Sequence, residues 1–200
     1  GENRPADKSA FLEGNTRLTT ALCEAIHQEY EGNGRHVPLV FASSVQAEQD
    51  NLYGQSKLNA EKAIQALAKA TGNPCVVFRL PGVFGKWCKP NYNSVVATFC
   101  YNLARDLPIQ ISDPLKQLRL VYVDDVVSVM LNALASPPSG YARASVEPEY
   151  SITLAIVWSL SMASLRSAET LRAFSRVMPI SSRPRRRHTF SCSDWSGQAG

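Results

Sequence analysis

Apolar positions in this chain fall into two alternating rhythms. Leu18, Leu22, Ile26 and Tyr30 recur every four residues and predict an amphipathic helix that stops near Gly32-Asn33-Gly34. Val37–Ala42 is then a short continuous apolar run, the pattern of a strand buried on both faces. Leu58, Ile64, Leu67 and Ala68 give a second helix one apolar face, closed by Gly72. Cys75–Leu80 predicts a second buried strand, ended by Pro81-Gly82. Val95, Val96, Phe99, Cys100 and Leu103 stripe a third helix, with Asn93 or Ser94 as its N-cap. Leu118–Val123 predicts a third strand, and Asp124 caps a helix over 125–135. Strands alternating with helices of this size imply an α/β fold: a parallel sheet with flanking helices.

The last fifty residues break the rhythm. Ile152–Leu160 is apolar, but periodicity fades beyond it, and residues 151–200 hold eleven serines, seven arginines and no lysine. The run Arg183-Pro184-Arg185-Arg186-Arg187 admits a nucleic-acid-binding arm, yet an irregular or non-native tail over 156–200 is the preferred reading. Charge agrees with that division. Residues 1–150 carry 14 Lys+Arg against 15 Asp+Glu (net −1), and residues 151–200 carry 7 against 2 (net +5). The positive balance therefore belongs to the tail, not to a nucleic-acid-binding face of the folded part, and no nucleic-acid partner is expected.

Composition excludes further classes. No run approaches the ~18 apolar residues of a membrane span, and Gly1-Glu2-Asn3-Arg4-Pro5 is not a signal peptide, although the chain opens without methionine. The five cysteines (23, 75, 88, 100 and 192) are scattered, without a CxxC, and read as reduced thiols of a cytoplasmic protein. His27, His36 and His188 are isolated, so no metal site is predicted.

The candidate chemistry lies in Tyr53-Gly54-Gln55-Ser56-Lys57, which opens a helix shortly after Ser43-Ser44. A tyrosine and a lysine four apart share a helix face. The ammonium is expected to lower the phenol pKa from ~10, while a serine hydroxyl at the strand end bonds an oxygen on which charge develops. Ser44 fits that role best by position, with Ser43 the fallback. The implied chemistry is carbonyl–alcohol interconversion with a nicotinamide cofactor. Asp124-Asp125 could do acid–base work, but capping is preferred for the pair.

With Phe41-Ala42-Ser43-Ser44 before it, the YGxSK helix start resembles that of the extended short-chain dehydrogenase/reductase family, the nucleotide-sugar epimerases, dehydratases and reductases. The resemblance implies a Rossmann-like fold over residues 1–155, with Tyr53 and Lys57 catalytic beside Ser44 and Lys57 also holding the nicotinamide ribose. Arg79-Leu80-Pro81-Gly82-Val83-Phe84-Gly85 resembles the family loop lying against nicotinamide and substrate, which implies cofactor contacts for Pro81 and Val83. The following Lys86-Trp87-Cys88-Lys89-Pro90-Asn91-Tyr92-Asn93-Ser94 supplies cations, amides and rings ahead of a helix N-terminus, features suited to a uridine diphosphate. Lys86, Asn91 and Asn93 are the substrate-binding candidates there, and Arg119 could also reach a diphosphate.

Residues 85–109 and the stretch Val146–Leu154 sharpen the resemblance to capsule-biosynthesis nucleotide-sugar reductases of the CapF type. That implies NADP- or NAD-dependent reduction of the C4 keto group of a UDP-activated deoxy-N-acetyl sugar, and leaves a homodimer open for the full-length family. An NAD-dependent epimerase or 4,6-dehydratase is the alternative enzyme, although Gln46 and Ala47 offer a dehydratase no acid or base. Asn3-Arg4-Pro5 matches the loop after the family's fourth strand, so the family's earlier strands, its GxxGxxG dinucleotide loop and its C-terminal cupin domain are expected to be missing. The non-enzymatic alternative is a remnant that does not bind cofactor. Family-like sequence stops after Leu154, as an out-of-frame translation or truncated gene would produce.

Overall fold

The computed structural model describes residue 7 and residues 10–166, the last three by backbone alone. In chain order, a π-helical turn (Leu12–Arg17) leads into α1 (Leu18–Asn33), followed by β1 (Leu39–Ser44), a 3-10 turn (Val45–Glu48) and α2 (Leu52–Thr71). β2 (Cys75–Leu80), β3 (Gly82–Phe84), α3 (Val95–Leu103), β4 (Gln117–Tyr122) and α4 (Val123–Ala135) come next, then β5 (Tyr141–Ala144), β6 (Glu149–Thr153) and α5 (Leu154–Arg166). Asn3-Arg4-Pro5, the arginine run 183–187, His188 and Cys192 lie outside the described residues.

The chain divides into two compact units. The first runs to Pro81 and adds Asp124–Glu147. Its sheet is parallel throughout, in the order β1-β2-β5, with Leu39 opposite Cys75 and Cys75 opposite Tyr141. Cys23 and Ile26 of α1 pack with Ile64, Leu67 and Ala68 of α2 over Cys75 and Val77 of β2. The second unit, Gly82–Val123 with the chain from Pro148, pairs β3 parallel and β6 antiparallel to the central β4. Phe84, Phe99, Leu120, Leu154 and Val157 form its core.

The expected parallel sheet with flanking helices is present in the first unit, where the short β5 joins β1 and β2; the third predicted strand, β4, instead lies in the second unit's sheet, between β3 and the antiparallel β6. Three boundaries and one buried face differ from the expectation for physical reasons. β1 begins at Leu39, because Pro38 has no N–H for the ladder, and it runs on through Ser43 and Ser44. α4 begins at Val123, so Asp124 sits inside its first turn instead of capping it, where its charge suits the helix dipole. The buried face of α1 is Thr19, Cys23 and Ile26; Leu18 and Leu22, predicted for that face, are 62% and 47% exposed. Finally, α5 occupies residues 156–166 of the segment expected to be irregular, and Leu154, Val157 and Ser161 give it a buried face. No helix among the described residues is long and apolar enough to cross a membrane.

Candidate active site

The end of β1 and the start of α2 are built to meet. Ser44 is extended and caps the 3-10 turn, its hydroxyl accepting from Gln46 N at 3.2 Å. Asn51 caps α2 by accepting from Gly54 N at 2.8 Å. Gly54 is required by space: a Cβ there would stand 2.1 Å from Gln46 O and 2.6 Å from Gln49 O. The helix start thereby lies directly against the turn that follows Ser44.

This contact brings three of the predicted residues together. Tyr53 and Lys57 lie one turn apart on α2, with the Lys57 ammonium 5.9 Å from the centre of the Tyr53 ring and 5.1 Å from that of Phe41. Lys57 Nζ donates to Ala42 O at 3.2 Å. The Ser44 hydroxyl lies near enough to the Tyr53 phenol to lower its pKa. Phe11 packs tilted on the Tyr53 ring at 5.6 Å. Consecutive side chains in a strand point to opposite faces, and Ser43 accordingly turns away from the phenol and donates to the buried carboxylate of Glu61. Between the two serines, Ser44 is the one that meets Tyr53.

The electrostatics differ from the expectation in one respect. The phenol of Tyr53 is pushed up, not down: burial is the main cause, and the nearby Ser44 hydroxyl offsets part of it. Lys57 is engaged by Ala42 O beneath the ring, and burial pulls its own pKa down while Glu61 pushes it back up. Burial therefore governs both groups and keeps the phenol in its proton-carrying form at neutral pH.

Several residues that hold this cluster escaped the sequence reading. Asn15, buried in the π-helical turn, donates from Nδ2 to Ser56 Oγ at 3.0 Å, and Thr16 Oγ1 donates to Ser56 O at 3.1 Å. A π turn is uncommon and often marks a functional position. Glu61 is 2% exposed and receives Arg79 through Nε at 3.0 Å and Nη2 at 2.7 Å. Its signal was its place four residues after Lys57, which continues the Tyr53–Lys57 face by one turn.

Pro81 ends the first unit, just after β2. The remaining candidates belong to the second unit. Val83 is half-buried in β3, while Lys86, Asn91 and Asn93 are exposed on the loop leading to α3. That loop turns through left-handed residues at Trp87 (φ 69°) and Asn91 (φ 53°), and Trp87 is 75% exposed. Gly85 (φ 129°) lets the backbone pass Tyr122 and Val123, either of which a Cβ would meet at 2.8 Å. Asn91 N donates to Thr98 Oγ1 at 2.9 Å, and Ser94, not Asn93, caps α3. Arg119 turns its guanidinium onto Glu149 across β4 and β6, with Nη2 2.8 Å from Oε2. His36 pairs with Asn73 at 3.0 Å and stacks near Tyr30. Among the described residues, no group of three or more His, Cys, Asp or Glu is arranged to hold a metal.

Comparison with known proteins follows the same outline. The model of the NAD dependent epimerase/dehydratase family matches residues 2–146. Over 154 residues the chain is 49% identical to a UDP-2-acetamido-2,6-beta-L-arabino-hexul-4-ose reductase of Pseudomonas aeruginosa, covering 77% of this chain and 40% of that protein. Capsular polysaccharide assembling protein CapF from Staphylococcus aureus superposes with a TM-score of 0.63 at 38% identity, covering 71% of this chain and 40% of that one. A UDP-glucuronic acid 4-epimerase from Bacillus cereus shares the fold alone, with a TM-score of 0.66 at 17% identity over 77% of this chain and 52% of that one. The chain spans about two fifths of the length of the reductase and of CapF.

Proposed function

The chain belongs to the NAD dependent epimerase/dehydratase family, and from that premise we propose that its Ser44–Tyr53–Lys57 site serves the NAD(P)-dependent reduction of the C4 keto group of a UDP-activated deoxy-N-acetyl sugar for a surface polysaccharide. The observation that carries this reading is the meeting of the Ser44 hydroxyl, the Tyr53 phenol and the Lys57 ammonium at one strand end. The 49% identity to a 4-ulose reductase supports the choice of substrate.

The donor set fits the ribose end of a nicotinamide dinucleotide. Lys57 gives one N–H to Ala42 O, and its other two suit ribose hydroxyls. When bound, the reduced nicotinamide supplies hydride to the carbonyl carbon. Tyr53 donates the proton: burial keeps its phenol protonated, the form needed to quench the alkoxide as it develops. Ser44 polarises the same oxygen by hydrogen bonding, in the manner of an oxyanion donor. Phe11 and Phe41 exclude water from the tyrosine and the lysine, which strengthens each polar contact. Gln46 and Ala47 offer no acid or base next to Ser44, which favours reduction over 4,6-dehydration.

Lys86, Asn91, Asn93 and Arg119 of the second unit are the proposed contacts to the uridine diphosphate, and Val83 of the same unit and Pro81, the last residue of the first stretch of the first unit, those to the nicotinamide. The four described cysteines are free thiols, which suits a cytoplasmic enzyme. A homodimer of the full-length protein belongs to the same proposal, supported by the exposed Leu18 and Leu22 one turn apart on α1.

NADPH fluorescence titration followed by absorbance at the nicotinamide band tests the proposal. Micromolar binding, then NADPH consumption on addition of the UDP-4-keto sugar, is the expected result; saturated cofactor without consumption overturns it. One observation favours a second reading, a remnant that does not hold cofactor: a G-x-x-G-x-x-G loop does not occur in these 200 residues. Absence of NADPH binding selects that reading for this chain and assigns the reduction to a longer protein.

A further inference from the structure

Glu61 has no part in the proton transfer described above, yet it is the most completely enclosed carboxylate among the described residues of the first unit. Its oxygens receive Arg79 Nε at 3.0 and 3.1 Å, Arg79 Nη2 at 2.7 Å and the Ser43 hydroxyl, and Arg143 Nη2 lies 3.5 Å away. Arg79 continues through Nη1 to Glu48 at 2.6 Å. One guanidinium therefore joins α2 and β2 to the 3-10 turn, and the carboxylate joins both to β1.

The sequence positions of these contacts give the network its meaning. Ser44 stands directly after Ser43, which Glu61 holds, and four residues before Glu48, which Arg79 holds. The backbone on either side of Ser44 is thus fixed by the same ion pair. Lys57 bonds Ala42 O, and Glu61, one helical turn further along α2, bonds Ser43, so consecutive residues of β1 are tied to consecutive turns of the helix. A buried ion pair is a costly way to gain stability, because well-packed apolar side chains do as well or better. Its directional bonds do fix geometry, which apolar packing does less strictly.

We propose that Glu61 is a positioning residue for the Ser44–Tyr53–Lys57 unit: clamped by Arg79, its carboxylate holds the Ser44 end of β1 in register with the helix face that carries Tyr53 and Lys57. The inference rests on the reductase reading of that site. Charge adds to geometry, since Glu61 counteracts the burial that pulls Lys57 down. The groups facing Glu61 are Lys57 on its own helix, Ser43 on β1, Arg79 on β2 and Arg143 on β5, with Glu48 beyond Arg79.

Titrations on the 200-residue chain without substrate test this separately from turnover. Lys57 is followed by peptide-resolved trace acetylation against pH, and Tyr53 by its phenolate absorbance as the difference from Tyr53→Phe. In Glu61→Gln the Lys57 midpoint is expected to fall by about one pH unit with its high-pH plateau unchanged. The Tyr53 midpoint is expected to rise as the Ser44 contact loosens. Thermal unfolding confirms that the variant is folded. A merely structural Glu61 lowers the melting temperature and moves neither midpoint, and that result overturns the proposal. If Glu61→Gln does not fold, Ser43→Ala replaces it: a rise in the Tyr53 midpoint supports the inference, and an unchanged one overturns it. Failure of the reductase reading is seen elsewhere, in NADPH saturation without consumption, and leaves these midpoints untouched.

Discussion

Gly54 lies with its Cα against the carbonyl oxygen of Gln46, so close that a Cβ would stand 2.1 Å from it. The glycine of the YGxSK run is thereby a packing requirement. It lets the first turn of α2 sit on the 3-10 turn that follows Ser44, and this seating puts the tyrosine phenol within reach of the serine hydroxyl.

Helix propensity and packing make opposite predictions at this position, so the sign of the effect decides between them. In an open helix, alanine in place of glycine stabilises by up to ~1 kcal/mol. Here Gly54→Ala forces a methyl into two backbone carbonyls and is expected to destabilise by about 2–4 kcal/mol. Urea unfolding midpoints measure it, and a stabilised variant would show that the turn yields.

The phenol of Tyr53 carries its proton beyond the usual pH, because burial raises its pKa and Ser44 offsets only part of the rise. Reduction by the full-length protein should therefore be flat through neutrality and fall only above about pH 10, where phenols ordinarily ionise. Ser44→Ala removes the offsetting hydroxyl and should move that fall to still higher pH, while lowering the rate. Tyr53→Phe should cost about 10²–10⁴ in kcat. A rate that declines from pH 7 upward in step with phenolate absorbance would contradict the assignment of burial as the dominant cause.

Much of this site was legible because its signals are local. Tyr53 and Lys57 declare themselves by spacing, and Cys75–Leu80 is a β-rich apolar run with a proline behind it; the strand occupies those residues. Ser44 was preferred to Ser43 by position, but the face of the strand that meets Tyr53 was not legible, since it depends on the turn after β1 and on the buried Glu61 that takes Ser43. Glu61 escaped because a glutamate within a helix is ordinarily solvent-exposed. Its partners, Arg79 18 residues away on β2 and Ser43 on β1, are met only at long range. The stripe on α1 was read one position off because leucines are the loudest apolar residues, whereas Thr19 and Cys23 are the ones that pack with Ile26. The strands β5 and β6 were missed for a different reason: Tyr141–Ala144 and Glu149–Thr153 are short, polar at alternate positions and paired only at long range.

Cys75 supplies a stability test independent of function. Burial, helped by nearby Cys23, raises its thiol from the usual 9.0 to about 11. The folded chain binds this proton where the unfolded chain has lost it. The resulting stability is fully present below pH 9 and disappears as the pH rises to about 11, a loss of about 3 kcal/mol. Cys75→Ala should cost about 1–2 kcal/mol near pH 7 and remove most of the alkaline slope. Urea unfolding at pH 7.5 to 10.5, in about half-unit steps, compares the two slopes. Equal slopes would mean that another group governs the alkaline limb.

Arg119 offers the sharpest test of the second unit, because its guanidinium is already engaged by Glu149. That pairing depresses the Glu149 carboxyl below its usual range, so its contribution is present above about pH 4.5 and lost as the pH falls through the depressed value. With Arg119 more than half exposed, the pair is worth less than ~1 kcal/mol, and neither partner's removal should unfold the chain. If Arg119 contacts the diphosphate, Glu149→Gln removes a competing anion and should tighten UDP binding about threefold or more, whereas Arg119→Ala weakens it by a similar factor. Both changes should diminish as salt is raised. Isothermal titration with UDP reads all of this, and identical affinities in the two variants would reduce Arg119 to a tie between β4 and β6.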